Sequence, residues 1–263
     1  MTLLEDIVAS TREDLERRKA AVPAGKLPRA PEHERPSLRA ALARPGLSII
    51  AEHKRRSPSA GAIREASSVA EIARAYEAGG AAAMSVLTEE RNFGGSLEDL
   101  REAAAACGLP LLRKDFIVDS YQLHEASSAG ASAVLLIVAA LPAATLAELH
   151  RTARELSLDI LVEVHDAGEL DVAFAIGAEL IGVNNRDLRD FSVDPRRTYA
   201  LLPLMAPGTI VVSESGIGTA ADLAALAAAG ADGALIGERL MRTADPAQAL
   251  RELRGEPPAP TPV

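Results

Sequence analysis

Two side chains capable of acid–base chemistry, Glu52 and Lys54, end the run Ile49-Ile50-Ala51-Glu52-His53-Lys54 and precede the turn Arg55-Arg56-Ser57-Pro58-Ser59-Ala60-Gly61. The apolar, β-branched lead-in reads as a buried strand. Side chains alternate along a strand, so Glu52 and Lys54 share one face and His53 takes the other. A carboxylate and an ammonium are thus aimed the same way where a buried strand surfaces. Such charges are costly there unless they are paired or used. A structural ion pair is the plainer explanation; a site for proton transfer is the one that the rest of the chain favours.

The same motif, apolar strand then chemistry-bearing end, recurs. Arg113-Lys114-Asp115-Phe116 ends one apolar run, Leu161-Val162-Glu163-Val164-His165 holds a carboxylate, and Gly182-Val183-Asn184-Asn185-Arg186-Asp187-Leu188 ends another. Ser213-Glu214-Ser215-Gly216-Ile217-Gly218 and Leu235-Ile236-Gly237-Glu238 follow. Glycines at two successive final strand ends let backbone N–H groups approach an anion, as in barrel phosphate sites. The five histidines are scattered without metal-ligand spacing, and His53 and His165 are expected to face outward as structural residues. The lone Cys107 ends a helix and reads as a small packed residue.

The elements that must position these groups follow from periodicity. Strands are expected near 48–54, 82–88, 110–114, 133–138, 159–164, 180–184, 209–213 and 234–236, with a helical stretch between each pair. Cap signals stand at Ser68, Ser96, Asp119 and Thr219, and helices stop near Gly79, Gly108, Gly130, Gly177 and Gly230. Gly-Ala pairs at 80, 130, 177 and 230 recur about every 50 residues, the length of two βα units. Eight apolar strands alternating with helices predict a closed (β/α)₈ TIM barrel. An open doubly wound sheet is the alternative, but the first turn lacks a Gly-rich phosphate fingerprint. Residues 2–19 read as an amphipathic helix, followed by a Pro-rich connector (23–36) and a short helix near 37–43. The expected organisation is one barrel over residues 1–256, including an N-terminal helical extension (1–46), and a disordered Pro-rich tail (257–263).

At 263 residues the chain is a normal size for one barrel. It is 48% hydrophobic but only 3% aromatic, so its core is built from aliphatic side chains. A formal net charge of −9 argues against nucleic acid as the main partner. No apolar run approaches a membrane span, and the N-terminus does not read as a signal peptide; a cytoplasmic protein, without membrane partners, is expected.

Six motifs together carry a family resemblance. Ile50–Gly61, Ser85–Ser96, Leu112–Phe116, Leu161–Val164, Ile181–Leu188 and Ser213–Ile217 resemble, in order, the signatures of indole-3-glycerol phosphate synthases. The resemblance runs from about Leu4 to Leu250. It implies a barrel whose N-terminal helix helps cover the mouth. It also implies closure of the indole ring: 1-(2-carboxyphenylamino)-1-deoxyribulose 5-phosphate gives indole-3-glycerol phosphate, CO₂ and water, with no cofactor and no metal. Lys114 would be the general acid, its pKa lowered by Lys54, and Glu163 the base. Lys54 would hold the substrate carboxylate or donate a proton, Glu52 would orient the lysines, and Asn184 and Arg186 would hold the sugar-derived hydroxyls. Pro58, Phe93, Leu112, Phe116, Leu135, Ile137 and Leu188 would form the aryl slot. Ser57, Ser215, Gly216 and Gly237 would hold the phosphate. Glu238 stands where the commoner family pattern has Ser, and would put a carboxylate near the phosphate unless it turns away. Ala60 replaces a frequent lysine. A monomer or weak homo-oligomer is expected. A phosphoribosyl isomerase, or a catalytically silent barrel that binds phosphorylated ligands, are the competing readings.

Overall fold

The structure, a computed structural model, describes residues 3–28, 36–187 and 192–256. Eight parallel strands close into a barrel in chain order: β1 (Ser48–His53), β2 (Ala83–Leu87), β3 (Leu111–Lys114), β4 (Ala133–Ile137), β5 (Asp159–Val164), β6 (Leu180–Asn184), β7 (Ile210–Glu214) and β8 (Gly233–Ile236). The final strand pairs with the first, Ser48 opposite Gly233 and Ala51 opposite Ile236. This is the predicted TIM barrel, with each strand within about two residues of its expected bounds.

The helices are α1 (Leu3–Ala21), α2 (Leu38–Leu42), α3 (Val69–Ala78), α4 (Leu97–Ala106), α5 (Ser120–Ser128), α6 (Ala143–Glu155), α7 (Ala167–Ala175), α8 (Arg196–Leu201), α9 (Ala220–Ala229), α10 (Glu238–Arg242) and α11 (Pro246–Leu253). Their starts use the expected caps. Ser68 and Ser96 accept from Glu71 N and Asp99 N, and Thr219 and Asp222 form a reciprocal capping box. Asp119 instead accepts from Tyr121 N, because Gln122 turns back to bond Val118 N at 2.8 Å. Three expected stops, Gly130, Gly177 and Gly230, end their helices in the left-handed region, with φ 90°, 80° and 95°. The Pro-rich tail (257–263) and part of the connector lie outside the described residues.

Strand alternation divides the apolar core in two. Ile49, Ala51, Met84, Val86, Val162 and Val164 point outward and pack in the cluster beneath the helices. Ile50, Leu112, Leu135, Leu161, Leu180 and Val212 point inward and fill the barrel interior. Leu38 and Leu42 of α2 join this inner cluster, while Asp159, at the start of β5, accepts from Ser37 Oγ at 2.8 Å. The short helix therefore closes the end of the barrel where the strands begin. At the other end the inward row turns from apolar to charged. Ile7 of α1 packs in the same cluster as Phe116 and Ile137, and Lys19 pairs with Asp119 at 2.7 Å. Among the described residues no helix is long and apolar enough to cross a membrane.

Candidate active site

The strands β1, β3, β5, β6 and β7 bring polar residues into one cavity of about 180 Å³, and β4 and β8 line it with apolar side chains. Lys114 sits one layer above Leu112, Glu163 above Leu161 and Asn184 above Gly182, so the apolar interior is the floor of the site. Glu52, Lys54, Lys114, Glu163, Asn184 and Arg186 all line it. Lys54 Nζ lies 2.7 Å from Glu52 Oε1. Lys114 Nζ lies 3.4 Å from Glu163 Oε2 and 3.3 Å from Glu214 Oε2. Asn184 donates from Nδ2 to Glu163 Oε1 at 3.2 Å, while its Oδ1 accepts from Ser215 Oγ at 2.9 Å and Arg186 N at 3.0 Å. One amide therefore links Glu163 to the glycine-bearing loop after β7.

Electrostatics correct one expectation. Burial alone would lower the pKa of Lys114, but Glu214, Glu163 and Glu52 outweigh it, and the ammonium is held well above its ordinary value. Lys54 does not win this balance, because its charge is already matched by Glu52. Burial would raise the Glu52 carboxyl, yet Lys54 and Lys114 bring it below its ordinary value. Glu214 is pushed up to about 7 by burial and by the charges of Glu163 and Glu52, against the pull of Lys114.

The apolar wall also takes shape. Pro58, Phe93, Phe116, Leu135 and Ile137 line the cavity, and the Phe93 and Phe116 rings meet at a centroid distance of 6.3 Å and a tilt of 38°. Leu112 does not line it: this side chain is fully buried in the inner cluster below Lys114. Leu188 lies outside the described residues.

Ser57, Ser215, Gly216 and Gly237 line the expected phosphate side. Ser57 Oγ accepts from Ala60 N at 3.1 Å within a two-residue hairpin ladder, Arg56–Ser57 against Gly61–Ala62. Ser215 holds a left-handed φ of 67°, a conformation that costs a β-carbon residue about 1–3 kcal/mol. Asn185 Nδ2 fixes it by donating to Ser215 O at 3.0 Å. Gly216 follows at φ 78°, and a Cβ there would meet Val193 Cγ1 at 2.7 Å. Glu238 turns its carboxylate to Arg242, whose Nε donates at 2.9 Å.

Three features escaped the sequence reading. Glu214 was visible in Ser213-Glu214-Ser215, but only barrel closure sets its carboxylate beside Lys114. Gly182 makes room for that carboxylate, since a Cβ in the present arrangement would overlap Glu214 Oε1. His165, expected to face outward, lies 3.5 Å from Glu163 Oε1, because it follows the last residue of β5 and strict alternation has ended. His53 does face outward, bonding Ser67 Oγ at 3.1 Å, and burial holds it neutral with a pKa of about 4. Burial likewise raises the Cys107 thiol. Among the described residues no group of three or more His, Cys, Asp or Glu could hold a metal ion.

Fold and site together define a (β/α)₈-barrel enzyme with its charged groups at the carboxyl ends of the strands. The family described as indole-3-glycerol phosphate synthase matches residues 4–253. Indole-3-glycerol phosphate synthase 2 of Streptomyces coelicolor is 49% identical over 255 residues, 96% of this chain and 99% of that protein. The indole-3-glycerol phosphate synthase of Nocardioides sp. is 49% identical over 261 residues, 97% and 99% of the two chains. The chain belongs to the indole-3-glycerol phosphate synthase family. Among solved structures, a mutant tryptophan synthase alpha-subunit from Pyrococcus furiosus superposes with a TM-score of 0.61 at 16% identity, covering 79% of this chain and 98% of that one, a likeness of fold.

Proposed function

We propose that the chain is a decarboxylating lyase of tryptophan biosynthesis that converts 1-(2-carboxyphenylamino)-1-deoxyribulose 5-phosphate to indole-3-glycerol phosphate, CO₂ and water. The observation that carries this reading is one cavity joining two lysine–carboxylate sets, an aromatic wall and a glycine-bearing loop. The aryl ring lies against Phe93 and Phe116, and the phosphate lies toward Ser57, Ser215, Gly216 and Gly237. Lys54 holds the substrate carboxylate, and Asn184 and Arg186 hold the hydroxyls.

The ring carbon bearing the carboxylate attacks the C2′ carbonyl carbon. Negative charge gathers on that carbonyl oxygen, and Lys114 protonates it. The raised pKa of Lys114 is no obstacle, because the alkoxide that forms is a stronger base than the lysine amine that gives up the proton. The C–CO₂ bond then breaks and its electrons restore the aromatic ring. With the carboxylate gone, Lys54 is free to protonate the departing hydroxyl as water, and Glu163 removes the proton whose loss completes the indole. Glu52, held ionised, keeps Lys54 in place.

Incubating the protein with this substrate should generate indole fluorescence. Lys114→Ala and Glu163→Gln should each lose about 10²-fold or more in kcat, the usual contribution of a positioned acid or base. Binding without turnover by the unmodified protein would favour a silent barrel. Neither binding nor turnover in a folded sample would overturn the substrate assignment.

A further inference from the structure

Asn185, the neighbour of Asn184, is buried and uses every polar group it has. Its N–H donates to Glu214 O at 2.9 Å, and its carbonyl accepts from Asp194 N at 2.9 Å. The side-chain Oδ1 accepts from Thr198 N at 3.1 Å, which fixes the orientation of the amide, because a backbone N–H can only donate. Oδ1 also accepts from Thr198 Oγ1 at 2.9 Å. That uses the one hydroxyl proton of Thr198, so Ser213 is the donor in the 2.7 Å contact between their hydroxyls. Nδ2 then donates one proton to Ser213 Oγ at 3.1 Å and the other to Ser215 O at 3.0 Å. Thr198 and Ser213 are fully buried, and the three side chains close a ring with a single arrangement of protons.

The bond to Ser215 O reaches beyond this ring. The Ser215 carbonyl and the Gly216 N–H belong to one planar trans peptide and point in opposite directions. Holding the carbonyl toward buried Asn185 therefore turns the Gly216 N–H away from it. Gly216 and Ile217 line the cavity, and their N–H groups have no hydrogen-bond partner among the described residues. We propose that Asn185 is the positioning residue of the phosphate site: it holds Ser215 in its left-handed turn so that Gly216 and Ile217 present their N–H groups to the phosphate of the substrate. This rests on the reading of the loop after β7 as the phosphate side. Freed from Asn185, Ser215 would leave a region that its β-carbon disfavours, and the Gly216 N–H would turn with it. Asn185 does not line the cavity and acts through Ser215.

Asn185→Ala should raise KM at least tenfold with kcat within threefold, because the lost contacts bind a part of the substrate that does not react. The inhibition constant of inorganic phosphate should rise with KM. Thr198→Val opens the same ring but leaves Thr198 N–H on Oδ1 and Nδ2 on Ser215 O. It should lower the melting temperature and keep KM within twofold, which separates positioning from general loosening. An unchanged KM in Asn185→Ala, or an equal rise in Thr198→Val, would overturn the proposal. So would equal binding of phosphate by Asn185→Ala and the unmodified protein. NMR of the unmodified protein decides the point even where Asn185→Ala does not fold. Added phosphate should shift the Gly216 and Ile217 amide signals, and the Asn185 side-chain protons should exchange slowly with water. Phosphate binding that leaves those two signals in place, or side-chain protons that exchange as fast as a free amide, would overturn it. No phosphate binding at all would instead overturn the reading of the loop as the phosphate side, and the proposal with it.

Discussion

Three carboxylates, Glu52, Glu163 and Glu214, are 4%, 1% and 2% exposed and surround the Lys114 ammonium. Their combined field keeps that lysine charged, and the same crowding leaves Glu214 the most strained of the three. The strain has a measurable sign. Glu214 has a folded pKa of about 7 against an ordinary 4.5, so folding binds its proton between those values. Its favourable contribution is therefore complete below pH 4.5 and lost as pH rises through about 7. Glu214→Gln mimics the protonated form. It should raise the melting temperature at pH 8 by roughly a few degrees, with the difference vanishing toward pH 4.5, while activity falls. Melting curves of both proteins across that range decide it; an unchanged difference at all pH values would mean that Glu214 is ionised throughout. The losses expected in Lys114→Ala and Glu163→Gln belong to this same scale, since each would remove one of the groups proposed to transfer a proton.

Strand β6 shows how an element shapes chemistry it does not perform. Leu180, Gly182 and Asn184 share its inward face, apolar at the base and amide at the top. Between them Gly182 leaves the space that Glu214 occupies from β7. Gly182→Ala should displace that carboxylate from Lys114 while the ladder to β5 and β7 persists. kcat should fall at least tenfold, with far-UV circular dichroism unchanged. Full activity in that variant would show that Glu214 moves aside without consequence. The sequence offered Gly182 only as part of a run, with no sign of the group above it. The loop after β7 was more legible: Ser215-Gly216 announced a tight approach, and its left-handed φ values bear that out.

Across the molecule, the N-terminal helix is tied to the site through a buried cation. Arg113 is fully buried on the outward face beside Lys114, and its Nη2 donates to Asp115 at 2.7 Å. Its Nη1 lies 3.3 Å from Glu125, whose other oxygen is 3.0 Å from Arg18 Nε of α1. Arg113→Met would strand the buried carboxylate of Asp115 and leave Glu125 with Arg18 alone, and should destabilise the protein by about 3–5 kcal/mol in urea denaturation. A loss below about 1 kcal/mol would mean that water reaches Asp115 and Glu125 once the guanidinium is gone. The sequence by itself determined the strand order and the inward row of Glu52, Lys54, Lys114, Glu163 and Asn184, and its family resemblance supplied the wall around Phe93 and Phe116. Those follow from alternation, which is local backbone geometry, and from motifs read in chain order. Tertiary structure decided which charge dominates each neighbour. Closing the barrel set β5, β6 and β7 side by side, and burial with through-space fields then raised Lys114 and strained Glu214. It also sank Leu112 beneath the site and turned His165 toward Glu163. The shifts at Lys114 and Glu214 are not encoded by spacing, because they depend on distances between strands that meet only in the folded chain.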